Sequence, residues 1–278
     1  MEFGQIQPSI TTRQSLPVAT AAFAQLAYSL TVRDLRTENK SAALGILLSS
    51  GMVLVTALTF YIFMNFIGGR SAPIRTDDIT FIVTGFLVFF FHIRTVSAVA
   101  GSLKPGLMRH SRASPFLFVC VKGFATLYKM TFATILLMVL NYLLRDYWEM
   151  QDGLTLIIIL LVAWMGGVAV GIIMMAANRY LVWGNLVQMT YVRICFFTSG
   201  KFFVAGHLPE RIHSAMDWNP LFHVLDQARG AMFLNYQAVT TSVIYPLMVY
   251  GAALVLGMMI ENYVRTTFSV SHTPMGSG

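Results

Sequence analysis

Apolar residues run along this chain in blocks, and most polar residues fall in the joints between them. Crossing a bilayer takes about 20 mostly apolar residues. Six blocks reach that length: Ala42–Phe66, Ile79–Ser102, Phe118–Leu144, Leu154–Ala177, Tyr180–Phe203 and Thr240–Tyr263. Ahead of them, Val18–Arg36 repeats apolar residues at helical spacing (Phe23, Leu26, Ala27, Leu30) and gathers Arg33, Arg36 and Lys40 at its far end. That pattern predicts a helix lying on a membrane surface, with its cations in the headgroup layer.

The stretch Lys201–Gly230, between the fifth and sixth blocks, is too short and too polar to be a span. It interleaves Glu210, Arg211, His213, Asp217, His223, Asp226 and Arg229 with Phe, Trp, Leu and Val. Asn219-Pro220 reads as a helix start, because Asn caps free backbone N–H groups and Pro fits the first helical position. The helix from Pro220 to about Phe233 is expected to have an apolar face (Leu221, Val224, Leu225) and a charged face (Asp226, Arg229). Two short helices folding back at a membrane surface account for the pattern. The fold class is therefore an all-α membrane protein: an N-terminal interfacial helix, six transmembrane helices, and a re-entrant helix pair between the fifth and sixth.

Composition agrees with a bilayer. Of 278 residues, 56% are hydrophobic and 11% charged, with a mean hydropathy of +0.66; a soluble domain carries roughly 25% charged residues. Residues 1–17 read as a flexible polar tail without a signal peptide, 18–266 as one transmembrane domain, and 267–278 as a tail. The end of that tail, Met275-Gly-Ser-Gly278, reads as a cloning scar. The net charge of +7 lies in the joints and forms no aromatic-basic surface, which argues against nucleic acid as a partner. Cys120 and Cys195 fall in or near apolar blocks and read as small core residues.

Orientation follows the Lys/Arg bias of short loops. With the N-terminus inside, nine cations are cytoplasmic (Arg13, Arg33, Arg36, Lys40, Lys104, Arg109, Arg112, Arg179, Arg265) and six are outside (Arg70, Arg75, Arg145, Lys201, Arg211, Arg229). Both termini are expected in the cytoplasm, with the stretch 201–230 on the outer face. The loop Leu103–Pro115 is short, basic and bracketed by Pro105 and Pro115. It suits a positive-inside anchor or a docking element for a cytoplasmic partner.

No phosphate-binding Gly-x-x-x-x-Gly-Lys-Ser/Thr loop occurs, and the six histidines show no zinc-type helical pairing. Neither a metal site nor a catalytic constellation is supported. What remains is ionisable residues inside spans, which are costly and usually functional. Lys122, Lys129 and Arg94 lie near the inner ends of their spans, where long side chains snorkel. Arg193 lies 14 residues beyond Arg179, roughly 21 Å along a helix, too deep to reach the inner surface. Thr190 and Asn185 share its side of the helix, and the choices for it are a pathway-facing position or an ion pair with Asp226.

The segment His207-Leu-Pro-Glu, followed by Trp218-Asn-Pro-Leu-Phe-His-Val-Leu-Asp-Gln-Ala-Arg229, resembles the end of permease subunits of ABC-2 type exporters, above all those that export capsular polysaccharide. Pro209, Trp218, Asn219, Pro220, Leu221, His223 and Arg229 occupy the places of that motif, and the order of elements agrees along nearly the whole chain. The resemblance implies the membrane subunit of an ATP-driven exporter of a lipid-linked, anionic polysaccharide, and no enzyme. It implies a homodimer in the bacterial inner membrane, joined to two copies of a separate ATPase that binds ATP and Mg. Periplasmic and outer-membrane export partners would follow, and this chain itself would bind no cofactor. Pro209, Asn219, Pro220, His223, Asp226 and Arg229 would form the outer gate. Arg193, Lys201, Phe196, Phe197 and Trp218 would line the substrate pathway, the rings stacking on sugars and the cations meeting anionic groups. Arg109, His110, Arg112, Arg33 and Arg36 would couple to the ATPase. An exporter of another glycan, a lipid or a drug is the nearest alternative. A membrane enzyme acting on lipid-linked sugar is a more distant one, with eight outer acids as its only support.

Overall fold

A computed structural model describes residues 16–38, 41–66, 78–103, 115–145 and 150–270. The expected loop residues Arg109, His110 and Arg112, and most of both tails, lie outside the described residues. Nine α-helices and no strand occur among the described residues: α1 (Leu16–Glu38), α2 (Ala42–Phe66), α3 (Asp78–Ala100), α4 (Pro115–Arg145), α5 (Gly153–Tyr180), α6 (Gly184–Thr198), α7 (Glu210–Asp217), α8 (Pro220–Met232) and α9 (Ile244–Val270). Helices are the expected result for such apolar blocks, since a helix satisfies its backbone polar groups internally where no water does.

The helices from α2 to α5 run up and down, and α9 packs along α5. The C-terminal ends of α3, α5 and α9 meet the start of α4 at one end of the bundle, where α1 also lies. The start of α3, the end of α4, the start of α5 and the end of α8 meet at the other. α3 is the hub, buried along most of its length against α5, with α2, α4 and α8 around it. Close approach of α3 and α5 depends on small residues: a Cβ at Gly167 would stand 2.6 Å from the Thr95 Cβ, and one at Gly171 2.7 Å from the Val99 Cβ. Gly-x-x-x-Gly spacing allows two helices this proximity in a membrane.

Polar ties cross the bundle at three levels. Lys122 on α4 forms an ion pair with Asp34 on α1 at 2.7 Å, so the lysine expected to snorkel instead fastens the surface helix to the bundle. In the middle, buried His92 lies 3.0 Å from the Ala163 carbonyl through Nδ1 and 2.8 Å from the Tyr191 hydroxyl through Nε2. A carbonyl accepts only, so Nδ1–H donates to it and Nε2 accepts the tyrosine proton. Towards the other end, the Asn141 amide donates to the Thr80 hydroxyl at 2.9 Å.

Among the described residues five helices are long and apolar enough to cross a membrane: Ala43–Phe63, Asp78–Ala100, Pro115–Leu143, Gly153–Tyr180 and Ile244–Tyr263. The expected fifth span, Tyr180–Phe203, is shorter than anticipated. α5 runs on through Tyr180, the chain turns at Leu181–Trp183, and α6 has 15 residues, about 22 Å at 1.5 Å per residue. That is less than the ≈ 30 Å of a hydrocarbon core. Gly200, at a φ of +72°, follows the end of α6 and redirects the chain. A side chain there would also stand 2.5 Å from the Phe222 ring.

Candidate functional site

The segment that stood out in the sequence folds around α8, which is packed between α3, α5 and α9 with α7 against it. Asn219 caps the helix as its sequence predicts: Oδ1 accepts the Leu221 N–H at 3.0 Å, and Pro220 takes the first helical position. Its Nδ2 donates to the Thr198 hydroxyl at 2.7 Å, fastening the start of α8 to the end of α6. The Tyr245 hydroxyl of α9 donates to the Trp218 carbonyl at 2.8 Å.

The expected charged face of α8 is buried, which corrects the sequence reading. Asp226 and Arg229 are each 1% exposed. A helical wheel places the two on one side, but other parts of the chain cover that side. The Arg229 guanidinium donates to three carbonyls of the loop after α6, those of Gly200 (3.0 Å), Lys201 (2.5 Å) and Phe203. It also lies 3.8 Å over the Phe81 ring. Asp226 accepts from the Thr241 hydroxyl at 2.8 Å and from the Tyr236 hydroxyl, so the Arg193–Asp226 pair considered from the sequence does not form. His223 Nδ1 accepts the Ser242 N–H at 3.2 Å, which leaves Nε2–H to donate to the Asp217 carbonyl at 2.7 Å. Each of these side chains ties α8 to a neighbouring segment: Arg229 to 200–203, His223 to the end of α7 and to 242, Asp226 to 236 and 241. α8 thereby holds its flanking loops as one unit.

Lys201 is 0% exposed. Its ammonium donates to the Phe196 carbonyl and lies 3.5 Å from the centre of the Phe196 ring, 4.0 Å from Phe89 and 4.7 Å from Phe202. Cations are drawn to aromatic faces at such distances. Of the residues expected on a substrate pathway, Lys201 is thus enclosed within this chain and Phe196 is half-buried beside it. Arg193, Phe197 and Trp218 are exposed. Arg193 shares an open face of α6 with Asn185 and Thr190, as the helical spacing predicted, and also with Phe197, and makes no hydrogen bond or ion pair with the described residues. Gln188 lies off that face and accepts from the Asn178 amide at 2.7 Å. Pro209 precedes α7, whose residues are largely exposed. Arg33 and Arg36 lie on the exposed side of α1.

Two ties escaped the sequence reading. His92 was only one of six scattered histidines, and nothing local marks Ala163 and Tyr191 as its partners. Asp34 and Lys122 did carry a signal: opposite charges on the surface helix and near the inner end of an adjacent span. Among the described residues no group of three or more His, Cys, Asp or Glu side chains is placed to hold a metal ion.

Among the described residues, an all-helical bundle with five membrane-length helices and a buried, multiply fastened short helix before the last of them is the architecture of a multi-pass membrane protein. No family model matches the chain. The chain is similar to the polysialic acid transport protein KpsM of Escherichia coli: two such proteins are each 21% identical over 239 residues, covering 84% of this chain and 90% of theirs. The similarity is distant but spans nearly the length of both chains.

Proposed function

We propose that this chain is the membrane subunit of an ATP-driven ABC-2 type exporter that moves a lipid-linked, anionic polysaccharide across the bacterial inner membrane. One observation carries the reading: the similarity to a polysialic acid transport protein extends over 84% of the chain. The helix fastened by Asn219, His223, Asp226 and Arg229 adds to it, because those residues were singled out from sequence as the exporter motif.

On this reading α6 counts as a sixth, shortened crossing, and α7 and α8 form a re-entrant pair closing the outer side. Two copies face each other across a pathway that includes Arg193, Phe197 and Trp218. Lys201 and Phe196 support that wall from behind. An arginine facing lipid at mid-depth costs at least about 2.5–3.5 kcal/mol, so the open face of α6 favours a wet, protein-lined surface. The ATPase would dock at 103–115 and at Arg33 and Arg36 on α1, and the α1–α4 ion pair would pass its movement into the bundle. A glycan of the same polyanionic character as polysialic acid suits the free cation.

The test of partnership is co-purification. A tagged copy of this chain is expected to retain an untagged ABC ATPase in a two-to-two complex. A stable, ATPase-free dimer that turns over a lipid-linked sugar would favour the enzyme alternative instead. Topology is tested by labelling from outside the cell: Ser214→Cys, at an exposed position of α7, is expected to react and Ser111→Cys to stay protected. The reverse pattern would invert the assignment of sides.

A further inference from the structure

His92 sits near the middle of α3, fully enclosed, and reaches two other helices at once. Its Nδ1–H is committed to the Ala163 carbonyl of α5 at 3.0 Å. Nε2 therefore keeps its lone pair for the Tyr191 hydroxyl of α6 at 2.8 Å. The Tyr250 ring of α9 stacks on the imidazole, with 5.4 Å between centres and 25° between planes, and holds its tilt. One side chain in one tautomer thus links the hub helix to α5 and to α6.

Tyr191 belongs to a stripe on α6. Gln188, Tyr191, Cys195 and Thr198 follow one another at the spacing of a single helix face. Gln188 bonds Asn178 of α5, Tyr191 bonds His92 of α3, Cys195 is buried, and Thr198 accepts from Asn219 at the start of α8. Two of these ties hold the ends of α6, and His92 holds its middle. Arg193 lies two residues beyond Tyr191, about 200° round the helix at 3.6 residues per turn. The bond that draws Tyr191 inward therefore turns Arg193 outward. Phe196 adds contacts with Phe86 and Phe89, but aromatic pairs accept several arrangements, whereas a hydrogen bond weakens steeply off line. Leu186 and Met189 are exposed, so apolar burial holds only part of the circumference of α6.

We propose that His92 and Tyr191 are positioning residues for transport: their hydrogen bond sets the rotation of α6 and so aims Arg193, Asn185 and Thr190 at the pathway. The transport role of that face belongs to the export reading, on which this inference rests. The aim of the face is a property of this chain alone, and it is measured separately.

Two substitutions separate the two halves of the imidazole. His92→Gln places an amide oxygen near Nε2, where it accepts from Tyr191, and gives up the bond to Ala163. His92→Asn places an amide N–H near Nδ1, keeps the Ala163 bond and leaves Tyr191 without its acceptor. Tyr191→Phe removes the same bond from the other side. The full chain is reconstituted in liposomes with a spin label at Thr190→Cys, an exposed position, and the label's accessibility to a water-soluble nickel relaxant is read against the unsubstituted chain as blank. His92→Asn and Tyr191→Phe are each expected to change that accessibility about threefold, the effect of one interhelical hydrogen bond in a membrane. The double variant is expected to go no further, and His92→Gln to stay near wild type. In the complex with the ATPase, the KM for glycan is expected to rise by a similar factor in the same two variants and to be kept by His92→Gln. A purely structural role moves Gln and Asn alike, since each loses one bond, and that result would overturn the proposal. So would wild-type accessibility in His92→Asn and Tyr191→Phe, which would give the aim of α6 to its apolar packing, or an unchanged KM beside a shifted label. Should the His92 variants fail to fold, Tyr191→Phe reads the same difference. No glycan transport by the wild-type complex, with the label shift intact, would overturn the export reading and leave the rotation of α6 assigned to this pair.

Discussion

Replacing Arg229 with alanine is expected to destabilise the protein by about 3–5 kcal/mol, the range for removing one partner of a buried charged network. The variant leaves the carbonyls of Gly200, Lys201 and Phe203 without their donor. Each buried acceptor stranded in this way costs about 1–3 kcal/mol. It also removes the cation from the Phe81 face and opens a cavity in the interior. Arg229→Lys is expected to fall between, because a lysine keeps the charge but lacks the planar fork that spans three acceptors. The measurement is the melting midpoint in detergent, where a fall on the order of 10 °C is expected for the alanine variant. Wild-type melting of Arg229→Ala would show that α8 is held by its apolar packing alone.

That expectation rests on a feature the sequence concealed. The start of α8 was legible, because Asn219-Pro220 carries its own local chemistry: a capping amide and a ring that needs no N–H. So were the bounds of α2, whose apolar block is preceded by Asn39-Lys40-Ser41 and followed closely by Gly68-Gly69-Arg70. The environment of Arg229 was not, since a helical wheel separates apolar from charged residues without saying whether another segment covers the charged side. Here the loop after α6 covers it, and the partners of Arg229 lie 26 to 29 residues away. The same reason hid the Lys122–Asp34 pair, which joins residues 88 positions apart. The length of α6 was misjudged for a different reason. Two apolar blocks abut near Tyr180, and the turn at Leu181–Trp183 is itself apolar, so hydropathy alone draws no boundary there. Arg193 was placed correctly on a shared face with Thr190 and Asn185, because that inference needed only helical periodicity.

Joint replacement of Arg109 and Arg112 by alanine is expected to lower ATP-driven transport by about 5–150-fold, the span of typical coupling free energies between two sites. The proposal gives these residues one task, meeting the ATPase on the side where nucleotide binds. Expression, dimerisation and melting midpoint are therefore expected to match wild type, and the basal hydrolysis of the isolated ATPase is untouched. The informative readout is ATP hydrolysis by the assembled complex, with and without glycan. Loss of the folded protein would return the loop to a plain membrane anchor. Unchanged transport would move the docking surface to Arg33 and Arg36 on α1, whose movement the Lys122–Asp34 pair would relay.

The most direct test of the central claim is translocation in inside-out vesicles that contain this chain and its co-purified ATPase, supplied with a lipid-linked anionic polysaccharide on the outside. The account predicts glycan accumulating in the lumen, chemically unaltered, only when both the ATPase and ATP are present. Arg193→Ala is expected to reduce that accumulation with the fold intact, while Arg193→Lys retains much of it. Accumulation without ATPase, or chemical conversion of the lipid-linked sugar by this chain alone, would contradict the account.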